Sequence, residues 1–300
     1  MYDLIIIGAG PAGITAAVYA ARKRLNFLVI TRDIGGQTAW SGDVENYTGY
    51  QFITGPDLVA KFEEHMHQYN VDVKEGVSAL EIRKVGSAIT VRTTNGQFEA
   101  KAVIIASGKV SKELGVPGEK EFKNKGLTYC ATCDGPLFDG KDVAVIGGGN
   151  SALDAVLQLV RIARRVYVIN INASLGGDAV MKDKVEDSKA VTVLNSTRVL
   201  AVIGDKMVTG IKIERALREE TISVQGIFVE IGLVPNSGFA ADIKRNGSGE
   251  IIVNCRNETN IPGIFAAGDV TDVPEKQIVI AAGEGSKAAL SAFRYLNQSR

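Results

Sequence analysis

Three cysteines, two histidines and one tryptophan are all that 300 residues supply of those types. Three cysteines are too few for a disulfide scaffold. Long apolar runs are missing too, because lysine, arginine or a turn glycine interrupts each before the ~20 residues of a membrane span. No basic leader with a small-residue cleavage site precedes the strand YDLIIIG, so the expected location is the cytoplasm. Neither charge is in excess, with 34 Lys and Arg against 34 Asp and Glu. That balance excludes a general affinity for nucleic acid or anionic membranes while leaving room for a local basic patch. Proline is scarce at 7 residues, but glycine is abundant at 33. Such usage suits many strand-to-helix turns and a backbone that approaches ligands closely. The length is enough for two cores.

The chain opens on a βαβ unit. YDLIIIG is a continuous apolar strand, buried on both faces and so part of a parallel sheet. A glycine turn, GAGPAG from Gly8 to Gly13, leads into the helical stretch AGITAAVYAARKR and a second strand, NFLVI. A G-x-G-x-x-G turn between strand and helix is the dinucleotide-binding arrangement; the alternative is a tight turn with no ligand. An amphipathic helix is expected from about Asp57 to Asn70. The stretch from Val73 to Gly108 reads as an antiparallel meander with turns at VGS and NG, ending on the apolar strand AVIIASG. VAVIGGGNSALDAV then repeats the opening pattern, with its turn at Gly147 to Ala152. Strands and turns alternate to about Gly232, IFAAGDV forms a strand ending at Gly268 and Asp269, and a helix runs to about Leu296. The expected fold is α/β, two Rossmann-like dinucleotide-binding domains with the second inserted in the first. Their expected bounds are residues 1–109 with 239–300, and residues 110–238. Linkers are expected near VSKELGVPG and GLVPNSG, where Pro, Gly and Ser gather.

Two of the cysteines, Cys130 and Cys133, form CATC, a spacing that reads as a metal half-site or a redox pair. Zinc would need two further ligands from Cys255, His65 and His67, and the two histidines face different directions on a helix. Asp134, next to the second cysteine, reads as an acid-base for thiol exchange or as a helix N-cap ahead of GPLF. Cys255, in IIVNCRN, is expected to be an inert core thiol on a strand. The strand after the second glycine turn, YVININASLGG, lacks what such units place there. A dinucleotide site wants an acid for a ribose hydroxyl or arginines for a 2′-phosphate, and this strand ends in Asn170 and Asn172. Arg164 and Arg165 precede it, on the wrong side to substitute.

GAGPAG, the GGQ of Gly35 to Gln37, VENY at Val44 to Tyr47, CATCDGPLF, GGGNSA and IPGIFAAGDVTDVPEKQI occur in order along nearly the whole chain. Together they resemble a low-molecular-weight thioredoxin reductase, and the C-terminal third also resembles the flavoprotein component of alkyl hydroperoxide reductase. The resemblance implies FAD at the first turn. Its pyrophosphate would lie on the backbone at Gly10, Pro11 and Ala12, between Gly8 and Gly13 and at the positive end of the helix. It further implies Thr31 or Arg32 near the adenosine ribose and Gly36, Gln37 and Asn46 near the cofactor. Gly108 and Gly268 would add backbone, Asp269 a ribityl or phosphate-side contact, and Lys276, Gln277 and Ile278 the surroundings of the flavin ring. Trp40 and the Tyr47–Tyr50 pair could flank flavin, though core packing is expected.

The resemblance makes Cys133 the sulfur nearer the flavin and Cys130 the one that attacks thioredoxin, in a homodimer. A thiol pair that closes and opens accepts two electrons, matching one flavin turnover. NADPH-dependent members follow the second-domain strand with a His-Arg-Arg cluster, and NADH-dependent relatives place a glutamate there. Lacking both, the chain resembles the ferredoxin-dependent flavin thioredoxin reductases. The expected donor is a ferredoxin, docking on Arg22, Lys23 and Arg24 or on Lys120, Lys123 and Lys125. The alternative is an NADPH or NADH enzyme with unusual contacts through Asn170 or Asn172.

Overall fold

The computed structural model describes residues 1–41 and 43–298. They form two compact units, residues 1–110 with 234–300 and residues 111–233. The return crossing comes at Leu233 rather than at Gly238. Asn236 explains this: its N–H bonds the Gly108 carbonyl and its own carbonyl accepts from the Ser107 hydroxyl, so the segment already belongs to the first unit.

In the first unit, strands Asp72–Lys74, Phe27–Ile34, Tyr2–Ala9 and Gly96–Ile105 lie side by side and parallel. The meander runs into the apolar strand without a break. Gly96–Ile105 is one strand whose first half pairs antiparallel with Ala88–Thr93, while its second half pairs parallel with Ile264–Ala266. Alternate residues of the central strands fill separate cores. Leu4, Ile6, Val29 and Ile104 pack with Ile14, Ala17 and Ala288 of the covering helices. Ile5, Ile7, Leu28 and Ile105 pack with Ile89, Ile243 and Ile251 on the other face. Those helices are Pro11–Arg22, which starts at Gly10 with proline in its first turn, and Ile278–Gln298. A third helix, Gly55–His67, is capped by the Thr54 hydroxyl, which accepts from Asp57 N–H.

In the second unit five parallel strands run in the order Leu127–Thr128, Gly226–Val229, Asp142–Ile146, Arg165–Ile169 and Val191–Leu194. Helices Asn150–Leu159 and Ala179–Glu186 make the crossovers, and a three-stranded antiparallel sheet from Thr197 to Ser223 completes the unit. No helix among the described residues is long and apolar enough to cross a membrane.

Cys255 departs from expectation. It is a free, exposed thiol on a turn, not a core residue on a strand. The Asn254 side-chain oxygen accepts from the N–H groups of Arg256 and Glu258 and bends the chain there.

Candidate functional site

The first unit holds a cavity of about 340 Å³ at the ends of its parallel strands. Its floor is the first glycine turn, and the glycines there have different reasons to be glycine. Gly8 has φ +105°, and a Cβ would stand 2.3 Å from the Ala106 carbonyl oxygen. At Gly13 a Cβ would meet the Gly8 oxygen at 1.9 Å. Both are required by the turn itself, and Gly13 does not line the cavity. Gly10 is another case: its backbone is ordinary, and a Cβ would find only the Gly35 oxygen at 3.8 Å. Nothing in the fold forbids a side chain at Gly10, so the space above it fits a ligand's close approach to the backbone.

Of the other expected residues, Pro11, Ala12, Thr31, Arg32, Gly36, Gln37, Gly108, Gly268, Asp269, Lys276, Gln277 and Ile278 line the cavity. Asn46 does not line it, but its side-chain amide donates to Gln277 Oε1 at 3.0 Å. Trp40 lines it as well, whereas Tyr47 packs edge-on against Phe62. The Thr31 hydroxyl is engaged, donating to the Asp33 carbonyl and accepting from Ala9 N–H. The strand runs on through Asp33, whose exposed side chain puts an acid at the cavity wall two residues past Thr31. Ending that strand at Ile30 hid this carboxylate, and extending its β-branched run would have found it. Burial raises the Asp269 carboxyl above the usual range, while Lys276 and Lys109 pull it back down.

In the second unit Cys130 and Cys133 form a disulfide with Cα atoms 5.4 Å apart. Cys130 caps the short helix Ala131–Asp134, where Cys133 N–H donates to its sulfur at 3.1 Å. Asp134 makes no capping bond at the helix Gly135–Phe138. Its carboxylate accepts instead from the Thr128 hydroxyl, which in turn accepts from Cys130 N–H at 3.2 Å. One hydroxyl therefore ties the carboxylate to the backbone of the redox pair. His65 and His67 belong to the other unit, and no group of three or more His, Cys, Asp or Glu among the described residues is placed to hold a metal.

The second glycine turn keeps its backbone. Gly147 has φ +139° and a Cβ there would meet the Glu230 oxygen at 2.1 Å, while Gly149 has open space above it. The strand end beside it is what differs. Asn170 is 1% exposed, and its side-chain N–H group donates to Asn172 O, Ser174 O and Asn195 Oδ1. Its oxygen accepts from Asn172 N–H, and the whole amide lies against Gly148. Ile171 follows, an exposed apolar side chain where a nucleotide's sugar wants charge. Arg164 is bidentate to Asp142 and Arg165 bonds the Tyr167 hydroxyl, so neither is available to that end.

The profile of pyridine nucleotide-disulphide oxidoreductases matches residues 2–285. The chain belongs to that family. An alkyl hydroperoxide reductase component of Staphylococcus aureus is 42% identical over 299 residues, which cover 98% of this chain and 59% of that protein. The chain thus spans less than two thirds of the curated relatives it matches. Lactococcus lactis thioredoxin reductase is 33% identical with a TM-score of 0.92, over 99% of this chain and all of that one. A ferredoxin-flavin thioredoxin reductase of Clostridium acetobutylicum is 30% identical with a TM-score of 0.56, over 99% of this chain and 98% of that one. The architecture is that of the thioredoxin reductases, two dinucleotide-binding domains, and the second unit carries a cysteine pair. FAD is the cofactor of this family and of its thioredoxin reductases. The cavity fits it: open backbone at Gly10, a helix N-terminus beside it, and wall residues of both charges.

Proposed function

We propose that this chain reduces thioredoxin through FAD and the Cys130–Cys133 pair, with electrons from reduced ferredoxin, as a cytoplasmic homodimer. FAD, when bound, accepts electrons singly and passes them on in pairs. The sulfur–sulfur bond of Cys130–Cys133 takes one such pair and two protons to become two thiols. Cys130 then attacks a sulfur of the thioredoxin disulfide, and Cys133 releases reduced thioredoxin by closing the pair again. Asp134 exchanges protons with the thiols, held by Thr128. On the cavity wall Gly8, Gly10, Pro11, Ala12, Gly36, Gln37, Gly108 and Gly268 would cradle the cofactor. Arg32, Asp269, Lys276, Gln277 and Ile278 would contact it directly, and Asn46 would hold Gln277 in place.

Ferredoxin is favoured as donor by one observation: Asn170 is buried and spends its amide on its own loop, where a nucleotide needs a carboxylate or guanidinium. Each missing charge-assisted contact costs ~1.5–3 kcal/mol of nucleotide affinity. The likeness to a ferredoxin-flavin thioredoxin reductase supports the same reading. Anaerobic reduction of the bound flavin by NADPH, by NADH and by reduced ferredoxin, side by side, tests it. Ferredoxin alone should bleach the flavin quickly. Rapid, saturable bleaching by either nucleotide at micromolar concentration would overturn ferredoxin as the donor.

A further inference from the structure

We propose that Lys109 and Glu250 set the reduction potential of the flavin held in the first unit's cavity, Lys109 raising it and Glu250 restraining it. The proposal rests on the reading of that cavity as the FAD site.

The ammonium groups of Lys109 and Lys276 both stand 3.1 Å from one oxygen of Glu250, Oε1. The other oxygen accepts from the Asn246 side-chain amide at 2.8 Å. The three charged side chains are 16%, 23% and 15% exposed for Lys109, Lys276 and Glu250. Lys276 also donates to the Thr271 carbonyl. Both lysines line the cavity, and Asp269 lines it beside them. Two ammonium groups against one carboxylate leave an excess of one positive charge, mostly out of water. Glu250 remains ionised throughout the physiological range. Burial works to raise its carboxyl, but hydrogen bonds from Asn246, Lys276 and Lys109 outweigh that and hold it at about 2. Burial raises the Asp269 carboxyl, with Lys276 and Lys109 pulling it back down.

Reduction adds electrons to the flavin, so fixed positive charge in the wall favours the reduced form over the oxidised one. The effect is larger where water is excluded, because effective dielectric there is nearer ~20 than ~80. In a wall built only to hold pyrophosphate, a carboxylate clamped between its two lysines would weaken the attraction for the anion. The same carboxylate makes sense as a trim, cutting two positive charges to one while fixing both ammonium groups in place. Anion binding has its own provision in the glycine turn and the N-terminus of Pro11–Arg22.

The test compares purified, flavin-loaded parent with Lys109→Met, Glu250→Gln and Lys109→Arg, each titrated with dithionite against a reference dye. At a fixed dye ratio the reduced-to-oxidised flavin ratio should fall at least tenfold in Lys109→Met, about 30 mV for a two-electron couple. It should rise at least tenfold in Glu250→Gln and stay at the parent's value in Lys109→Arg. Flavin content per chain, measured after release, should be unchanged in all three. Shifts of one sign in both charge-changing variants, or ratios within threefold of the parent, would overturn the proposal. So would lost flavin content at an unchanged potential, which would make Lys109 a phosphate ligand. A colourless parent would instead remove the FAD reading, and the proposal with it.

Discussion

The backbone N–H of Gly176 donates to the carbonyl oxygen of Gly148 across 2.7 Å. Residues 170–178 are thereby folded against the second glycine turn. A further bond, from Asp178 N–H to Asn150 Oδ1 at 2.8 Å, ties the far end of the loop to the first residue of the helix Asn150–Leu159 that follows the glycine turn. The turn that would receive a nucleotide is bonded to the chain's own loop, and Asn170 sits beneath that loop with its amide satisfied. The turn has the backbone of a dinucleotide site, and the amide at the strand end faces its own loop.

Placing an acid on that strand should therefore not create an NADH site. In Asn170→Glu the three acceptors that now receive the amide, Asn172 O, Ser174 O and Asn195 Oδ1, would face carboxylate oxygens. Buried acceptors left unmatched beside a buried charge cost roughly 2–4 kcal/mol. Urea unfolding should show that loss, and flavin reduction by NADH should be no faster than in the parent. A variant as stable as the parent that NADH reduces quickly would mean that the loop opens to admit the ligand.

Both βαβ units were legible because LIII and VAVI are apolar on every residue, and only a strand buried on both faces needs that. The Cys255 error has the same origin. IIVN looks like another such strand, but Asn254 and Asn257 flank the cysteine, and Asn257 takes the left-handed backbone at φ +62° that turns favour. The glycine and GGQ segments of the cavity could be read locally, since each is a short motif. Lys276 came with the resemblance, but Lys109, Glu250 and the pairing of all three could not be read: they lie far apart in sequence and meet only once the sheet has brought their segments together.

Gly10→Val should give a folded, colourless protein. The backbone at Gly10 has φ −76° and the nearest atom to a new Cβ is 3.8 Å away, so the fold tolerates the change while the ligand space does not. Gly13→Ala should behave oppositely, because its Cβ would lie 1.9 Å from the Gly8 oxygen and the turn itself must shift. Flavin absorbance per chain and circular-dichroism melting separate the two. Full flavin occupancy in Gly10→Val would move the cofactor elsewhere.

At the dithiol, Cys130→Ser or Cys133→Ser should abolish thioredoxin reduction while the flavin stays bound and reducible. Asp134→Asn should slow turnover by ~10²–10⁴, the usual contribution of a positioned acid-base. Thr128→Val leaves the carboxylate but removes the hydroxyl that orients it, and should cost roughly tenfold. Steady-state thioredoxin reduction with a saturating donor reads all of these. Unchanged turnover in Asp134→Asn would leave that carboxylate a structural partner of Thr128.

Reduction by ferredoxin should slow as salt rises. Ferredoxins are generally acidic, and the lysines and arginines at Arg22 to Arg24 or Lys120 to Lys125 offer the opposite charge. Screening shortens to ~8 Å at physiological ionic strength and ~3 Å at 1 M, so a steered encounter loses rate over that range. Stopped-flow rates for Lys23→Glu and Lys120→Glu would show which cluster takes part. A rate indifferent to salt would remove the electrostatic docking altogether.

Glu230 gives the second unit a stability that depends on pH in an unusual direction. It follows the strand Gly226–Val229, its N–H bonded to the Ile146 carbonyl at 2.8 Å. Burial first, and the charge of Asp154 second, push its carboxyl up from 4.5 to about 8. Between those two values the folded chain keeps a proton that the unfolded chain has released, so stability falls as pH rises through the window. Below it both states are protonated and nothing is lost; above about 8 the penalty is complete. Glu230→Gln keeps the shape and removes the charge. Its urea midpoint should match the parent's at about pH 5 and exceed it progressively towards about pH 9, by a difference on the order of a few kcal/mol. A gain of the same size at every pH would trace the effect to packing, and a variant less stable than the parent at high pH would mean that the ionised carboxylate has a partner worth more than its burial costs.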